Sequence, residues 1–402
     1  MSKTELYEIF KNPGAEWRGK PFWSWNGELR EDEIRRQIHV MKEMGLGGYF
    51  MHSRAGLITE YLGDEWFDLI NAGADEGEKT GMEAWLYDED RWPSGAAGGL
   101  VTKEKKYRSR YLLFTPVPYS GTMDNDNPGG GATAKAARAE NGTLLAAYDV
   151  ELDEQGYLIS YRMISSDEPA LHEKWYAYLE LQQESPWYNN QTYVNTLDKA
   201  AMDRFIEITS EAYNRTIGDE FDKTVPSIFT DEPQFTRKST LKFATDKDDV
   251  TLPWTDDLAE TFGAAYEGED VIAGIPELIW DRADGEVSLI RYHYHDHICE
   301  RFAQAFADQC GAWCREHGMA LTGHMMEEPT LESQTAALGE AMRSYRGFDL
   351  PGIDMLCARF EYTTAKQTQS AVHQFGYEGM LSELYGVTNW DFDFRGHKLH
   401  GD

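Results

Sequence analysis

Short apolar segments alternate with longer amphipathic segments along the first hundred residues of this chain. Residues 21–26, 47–53 and 82–87 have the dense aromatic and aliphatic composition that is typical of buried strands. Residues 30–44 and 65–80 repeat apolar side chains every three or four positions, which predicts amphipathic helices. Strands joined by helices in this way run parallel, because each helix carries the chain back to the same end of the sheet. The pattern therefore predicts an α/β fold.

A different pattern interrupts this alternation from about residue 101 to residue 192. The segment contains β-like stretches separated by turns, and residues 120–142 have the Gly-, Ala- and Asn-rich composition of a loop. We predict a β-rich insertion over 101–192, between the first part of a catalytic domain (1–100) and its remainder (193–402). The predicted strands of the insertion are residues 111–114, 144–152, 157–164 and 175–181.

Strand-like and helical segments alternate again after residue 192. The candidate strands in this part are residues 192–197, 227–230, 320–324, 352–357 and 379–383. Together with the first three they make eight, the number required for a (β/α)8 barrel of the TIM type with a β-rich insertion after its third strand. Because the chain stops at Asp402, about where the last helix should form, we expect that helix to be truncated and further domains to be missing.

Polar and aromatic residues recur at the carboxyl ends of these predicted strands, where the active sites of such barrels are built. In chain order they are Trp25, Asn26, His52, Arg54, Asp88, Glu89, Trp92, Asp231, Glu232, His324, Glu327, Glu328, Asp354, Glu383 and Tyr385. Any single acid at a strand end could be a helix cap or an ion-pair partner. The recurrence of acids at one rim, together with two histidines, favours a functional site.

The chemistry of this rim suits a carbohydrate-active enzyme. Carboxylates that converge raise one another's pKa values, so that one can stay protonated while another is ionised. Two such groups on either side of a sugar bond are the usual requirement for glycoside hydrolysis. Aromatic rings such as those of Trp25, Trp92 and Tyr385 could stack on the apolar faces of sugars.

The charge balance narrows the range of partners. The chain has 70 acidic and 38 basic residues, a formal net charge of −32, which repels nucleic acids and anionic membranes. It has no run of about 18 apolar residues, and the polar residues 1–17 do not resemble a signal peptide. We expect a cytoplasmic protein that acts on a neutral carbohydrate, without nucleic-acid or membrane partners.

Several blocks of the sequence are similar to those of a known enzyme family. The blocks are FWSWNGELREDEIRRQIHVMKEMGLGGYFMHSRAGL, EWFDLINAGADEGEKTGMEAWLYDEDRWPSGAAGG, SIFTDEPQF, MALTGHMMEEP and GMLSELYG. In this order they resemble glycoside hydrolase family 106, the α-L-rhamnosidases and their relatives. We expect the chain to depart from that family in its lack of a secretion signal and of the usual C-terminal β-domains.

The resemblance implies an inverting hydrolase that acts on terminal α-L-rhamnose, with a calcium ion near the sugar and no other cofactor. It implies that Glu232 in TDEP is the general acid and that Glu383 in SELYG is the base that activates water. Glu327 or Glu328 would assist the base or bind the metal. We predict Glu327 as a third catalytic residue and Glu328 as the metal ligand, while the division of roles among these glutamates stays open.

Two other functions fit the same residues. A metal-dependent sugar isomerase or epimerase would use Glu232, His324, Asp354 and Glu383 to hold a divalent ion directly. A non-catalytic carbohydrate-binding barrel would keep the aromatic residues without turnover. The isomerase requires four metal ligands that meet at one point, and the binding barrel is distinguished by the absence of any conversion of the sugar.

Overall fold

The structure is a computed structural model, and it describes residues 2–120 and 138–402. Most of the loop predicted at 120–142 therefore lies outside the described residues. The strands, numbered in chain order, are β1 (Phe22–Trp25), β2 (Gly48–Ser53), β3 (Glu83–Tyr87), β4 (Arg110–Thr115), β5 (Thr143–Leu152), β6 (Leu158–Ile164), β7 (Glu173–Leu181), β8 (Ser227–Asp231), β9 (Val250–Pro253), β10 (Ala320–His324), β11 (Leu350–Met355) and β12 (Leu381–Leu384). The α-helices are α1 (Lys3–Lys11), α2 (Glu31–Glu43), α3 (Asp64–Thr80), α4 (Lys199–Ile208), α5 (Ser210–Ile217), α6 (Leu258–Ala265), α7 (Ile275–Ile279), α8 (Leu289–Phe302), α9 (Gln309–Glu316), α10 (Leu331–Ala337), α11 (Ala341–Ser344), α12 (Tyr362–Phe375) and α13 (Phe394–Gly401).

Seven of these strands form one parallel sheet, in the spatial order β1-β2-β3-β8-β10-β11-β12. Strands one to three and five to eight of the sequence prediction all contribute to it. The α/β character predicted from the alternation is therefore confirmed. Among the described residues β1 and β12 are the two edges of the sheet, so a complete (β/α)8 barrel is not confirmed.

The predicted fourth strand at 192–197 was wrong. β3 pairs directly with β8, which leaves no place for another strand between them. The backbone of 192–197 runs instead beside the segment that leads into β4. The Ser109 N–H donates to the Tyr193 carbonyl and the Asn195 N–H donates to the Tyr107 carbonyl, both at 2.9 Å. Backbone groups that are paired in this way are not available to the parallel sheet.

The parallel sheet is strongly curled. The rings of Phe22 on β1 and Phe229 on β8 are in edge contact, with centroids 4.9 Å apart, although β2 and β3 lie between their strands. Both rings belong to a cluster with Phe50, Trp85 and Tyr87 that fills the concave side of the sheet, here called the inner face. Because side chains alternate along a strand, the neighbours of these residues point towards the helices on the other side.

The second sheet is antiparallel and has the order β6-β5-β7-β4-β9. Four of its strands coincide with the β-like stretches predicted between 101 and 192, whereas β9 comes from outside that range. The boundaries of the insertion therefore stay a prediction. Phe114 stacks on Trp175 at 5.0 Å, and Trp175 contacts Trp280 at 5.1 Å. These rings belong to the same apolar core as the helices around the parallel sheet.

The long helix predicted at about 288–317 is present as α8 and α9, with a π-helical turn, Ala303–Asp308, between them. Such turns usually interrupt an α-helix at a packing or functional site, and here Ala303 and Phe306 are buried in the core. At the other end of the chain, α13 follows β12. None of the described helices combines the length and the apolar composition that crossing a lipid bilayer requires.

Candidate active site

The carboxyl ends of β8, β10, β11 and β12 gather several of the predicted site residues. In the sheet His324 is paired with Asp231, and Asp354 is paired with Glu383. Gly323 has a φ of +130°, and a Cβ atom at this position would clash with a carbonyl oxygen of β8. A glycine is therefore needed for β10 to approach β8 so closely, and this approach sets His324 beside the end of β8.

His324 is at the centre of this group. It is 1 % exposed, and its Nε2 lies 2.8 Å from Glu383 Oε2 and 3.7 Å from Asp231 Oδ1. Burial by itself would lower the pKa of His324, but the hydrogen bond to Glu383 and the charges of the surrounding carboxylates raise it well above its usual range. The surrounding carboxylates therefore favour the protonated form of the ring, although its Nδ1 is buried without a hydrogen-bond partner among the described residues.

Asp231 is held from the other side by β3 and the loop that follows it. The Tyr87 hydroxyl donates a hydrogen bond of 2.5 Å to Asp231 Oδ2. The Ser94 hydroxyl accepts from the Asp231 N–H at 2.8 Å and donates to Asp88 Oδ1 at 2.5 Å. Burial raises the pKa of Asp231, although the positive charge of His324 opposes the rise. Burial also raises the pKa of Asp88 to about 7.

Glu232 is in an environment that keeps its carboxyl group protonated. It directly follows β8, and its N–H donates to the His324 carbonyl at 3.1 Å. Burial, and then the charge of Asp231, raise the pKa of Glu232 well above its usual range. Glu232 also has a φ of +46°, a conformation that is unfavourable for a non-glycine residue and often marks functional positions. It can therefore act as a proton donor near neutral pH.

Glu328 and Asp354 add two further buried acids. Glu328 is 4 % exposed and accepts hydrogen bonds from the Tyr345 hydroxyl at 2.9 Å and from the N–H groups of Asp354 and Met325 at 3.1 and 3.3 Å. Burial raises the pKa of both acids to about 7. Asp354 Oδ1 is buried without a hydrogen-bond partner among the described residues, so it is an acceptor available to a bound molecule.

Glu232, His324 and Asp354 could also hold a metal ion, since one donor atom of each lies within 4.8 Å of the others. An imidazole with two carboxylates suits a transition metal such as zinc or manganese. Calcium takes about six to eight oxygen ligands, so this group does not fit the ion that the family resemblance implies. Both carboxylate oxygens of Glu328, the predicted metal ligand, accept hydrogen bonds from the protein. Its role in metal binding stays a prediction.

His52 and Arg54 lie close to this group, at the end of β2. His52 is buried on the inner face, where its ring stacks on Phe22 at 5.1 Å and meets Tyr87 at 3.8 Å. Burial, and then the charge of Arg54, lower the pKa of His52 to about 3, so its ring is neutral. Arg54 is exposed, and its positive charge also favours the ionised form of Asp231.

Trp25 does not reach the inner face. It is 2 % exposed and packs against Trp66 of α3, with ring centroids 5.2 Å apart. Because Phe22 points to the inner face, alternation along β1 directs Trp25, three positions later, towards the helices. This position contradicts the predicted stacking of Trp25 on a sugar. The next residue, Asn26, is exposed beyond the end of the strand.

The carboxylate of Glu89 is hydrogen-bonded to the loop that follows β3. It is 1 % exposed, and its carboxylate accepts hydrogen bonds of 2.5 to 3.0 Å from a nest of backbone N–H groups. The donors are Asp90, Gly95, Ala96, Ala97 and Gly98. Such a nest is a strong site for a carboxylate. Glu89 therefore shapes the loop that carries Ser94, and its oxygens are not free to bind a substrate as predicted.

The last three predicted residues have partners of their own. Glu327 forms an ion pair with Arg237. Trp92 packs against Trp187, with ring centroids 5.8 Å apart. The Tyr385 hydroxyl donates to a backbone carbonyl of α13 at 3.0 Å. Trp92 and Tyr385 are both partly exposed and stay candidates for contact with a sugar.

Sequence reasoning missed Tyr87 and Ser94. Tyr87 is the last residue of β3, directly before Asp88 and Glu89. Its spacing of two from Trp85 was the signal that both side chains lie on the same face of the strand. Ser94 belongs to the turn WPSG, which has no local mark of function. Its partner Asp231 is 137 residues away, so the contact depends on the pairing of β3 with β8.

Comparisons with known proteins agree with this fold. No protein-family model matches the chain, so membership of glycoside hydrolase family 106 is not confirmed. The chain is 23 % identical over 124 residues to a protein of Formosa agariphila that is provisionally named a beta-glucuronidase, a match that covers 29 % of this chain and 10 % of the relative. A solved rhamnosidase structure from Novosphingobium sp. PP1Y superposes with a TM-score of 0.60 at 14 % identity. The superposition covers 96 % of this chain and 54 % of that chain, so this chain spans about half the length of the rhamnosidase. At this identity the likeness shows the fold alone.

Proposed function

We propose that this chain is the catalytic region of a glycoside hydrolase. The observation that carries the proposal is the contrast between two glutamates at one rim of the sheet. Burial favours the protonated form of Glu232, whereas the carboxylate of Glu383 accepts a hydrogen bond from Nε2 of His324 at 2.8 Å. A protonated acid and a second carboxylate in one site are what cleavage of a glycosidic bond requires.

In the proposed reaction Glu232 donates its proton to the glycosidic oxygen while the bond from this oxygen to the anomeric carbon breaks. Glu383 removes a proton from a water molecule whose oxygen attacks the anomeric carbon from the opposite face. The nearby carboxylates, including Asp231 and Asp354, favour the positive charge that develops on the sugar ring. Attack from the opposite face inverts the anomeric configuration.

We propose terminal α-L-rhamnose as the sugar. Two findings support this choice: the sequence blocks resemble those of α-L-rhamnosidases, and the superposed solved structure is that of a rhamnosidase. The distant relative is named for beta-glucuronides, which carry a carboxylate. The formal net charge of −32 disfavours a negatively charged sugar, so the neutral sugar is preferred.

Hydrolysis of a panel of p-nitrophenyl glycosides tests the proposal. We expect release of p-nitrophenol from the α-L-rhamnoside and much slower release from the β-D-glucuronide. Glu232→Gln and Glu383→Gln should each reduce kcat by about 10²- to 10⁴-fold while the variants stay folded. Proton NMR during the first minutes should show β-L-rhamnose before mutarotation. No release from any glycoside would refute hydrolysis, and α-L-rhamnose as the first product would refute inversion.

A second candidate is a metal-dependent sugar isomerase or epimerase, which the proximity of donor atoms from Glu232, His324 and Asp354 favours. The fourth expected ligand, Glu383, is hydrogen-bonded to His324 instead. Dialysis against EDTA distinguishes the two, because an isomerase would lose its activity and recover it with manganese or zinc. Recovery with calcium alone would support the cofactor that the resemblance implies. Sugar binding without any conversion would indicate a non-catalytic carbohydrate-binding domain.

A further inference from the structure

We infer that His324 is the positioning residue of this site, which aims the carboxylate of Glu383 at the attacking water without touching the substrate. The inference rests on the proposed function, because it takes Glu383 as the base. The side chain of His324 is 1 % exposed, whereas that of Glu383 is 22 % exposed. Only the glutamate of this pair can therefore reach a bound sugar or its water.

Glu383 needs such a partner because little else orients it. It lies on β12, an edge strand whose partner in the sheet is β11. Among the described residues, His324 Nε2 is the hydrogen-bond donor to its carboxylate, at 2.8 Å. A half-buried glutamate without a donor would sample several rotamers, and ordering it during the reaction would cost conformational entropy.

His324 is itself rigidly placed. It ends β10, an interior strand of the sheet, and its ring packs edge-on against Phe229 with centroids 5.3 Å apart. The same Nε2 that contacts Glu383 lies 3.7 Å from Asp231, which is fixed in turn by the Tyr87 hydroxyl. One nitrogen thus points between a buried carboxylate and a partly exposed one, so its direction is set by the fold.

Two amide substitutions at position 324 test this role. The amide nitrogen of glutamine reaches approximately the position of Nε2, whereas that of asparagine lies closer to the position of Nδ1. We expect H324Q to keep kcat on the aryl rhamnoside within about tenfold of the wild type, and H324N to lose about 10²-fold or more. KM should change by less than about threefold in both variants, because neither residue contacts the substrate.

A merely structural role would lower the folded fraction of each variant, which circular dichroism measures, whereas the positioning role lowers kcat in fully folded protein. The matched control is His172, whose side chain is exposed and which directly precedes β7; His172→Gln should behave as the wild type. The inference is overturned if H324N is at least as fast as H324Q, or if the loss appears in KM alone. If Glu232→Gln is inactive in the same assay, that result leaves the proposed function standing. Full activity in both Glu232→Gln and Glu383→Gln would remove the proposed function as well.

A spectroscopic readout covers the case in which both position-324 variants fail to fold. In protein labelled with ¹⁵N-histidine, we expect the Nε2 proton of His324 to resist exchange and to resonate downfield of the amide region. This resonance should shift or disappear in Glu383→Gln, because the charged acceptor is lost. An unchanged resonance in that variant would show that the contact does not exist and would overturn the inference.

Discussion

The Tyr87 hydroxyl donates a hydrogen bond of 2.5 Å to Asp231, a residue 144 positions further along the chain. The two residues lie on β3 and β8, which are neighbours in the parallel sheet. In the sequence, four strands of the antiparallel sheet lie between β3 and β8. Asp231 flanks His324, and His324 holds Glu383. A series of side-chain contacts therefore runs from β3 to β12 across the proposed site.

Tyr87→Phe should destabilise the protein. The substitution keeps the ring on the inner face but removes a donor from the buried Asp231, which we expect to cost about 1–3 kcal/mol. Urea denaturation measures the change. Tyr157→Phe, at a partly exposed position next to β6, is the control and should change the free energy of unfolding by less than about 0.5 kcal/mol. Equal effects in the two variants would contradict the role given to the Tyr87 hydroxyl.

Glu89→Gln should destabilise the loop that follows β3. Glutamine has one acceptor oxygen, and its amide group faces N–H donors that need an acceptor, so we expect a loss of about 3 kcal/mol or more. Limited proteolysis should then cut the chain between residues 94 and 99. Glu28→Gln, at an exposed position, should leave both stability and the cleavage pattern unchanged. Resistance of the Glu89 variant to proteolysis would show that the carboxylate is dispensable for the loop.

The free energy of unfolding of Asp354→Asn, relative to that of the wild type, should increase as pH rises. Burial raises the pKa of Asp354 from 3.8 to about 7, so between these values the folded protein holds a proton that the unfolded chain has released. Stability is therefore lost across this window in the wild type, whereas asparagine does not titrate. Urea denaturation from pH 4.5 to 7.5 should show that the difference in free energy of unfolding between variant and wild type widens and then levels off above about pH 7. A difference that narrows with rising pH would contradict this environment for Asp354.

Glu232→Gln should lose activity in a way that depends on the leaving group. A 2,4-dinitrophenyl group departs without protonation, so the loss in kcat should be much smaller for its rhamnoside than for the methyl rhamnoside. The variant should also be at least as stable as the wild type at neutral pH, because burial and the charge of Asp231 penalise ionisation of Glu232. Equal losses for all leaving groups would exclude Glu232 as the general acid.

Much of the site could be located from the sequence. The segments that became seven strands of the parallel sheet were predicted from their apolar composition and from the helices between them. The rule that reacting groups follow such strands then pointed to Asp231, Glu232, His324 and Glu383. The strand predictions succeeded because strand and helix periodicity is imposed by close neighbours along the chain, whereas the roles of these four residues stay a prediction. The fourth strand failed because residues 192–197 have strand-like composition but pair outside the parallel sheet.

Only the tertiary structure decided which of these residues meet and which are free to act. Phe22 and Trp25 are both aromatic residues of β1, and only packing shows that the second faces the helices. Glu89 and Glu232 are both glutamates that follow strands of the parallel sheet, but five backbone N–H groups already donate hydrogen bonds to the oxygens of Glu89. The protonation and partners of a side chain such as His324 depend on burial and on distances between segments far apart in sequence. Those distances are set only when the chain folds, so they cannot be read from the order of residues along it.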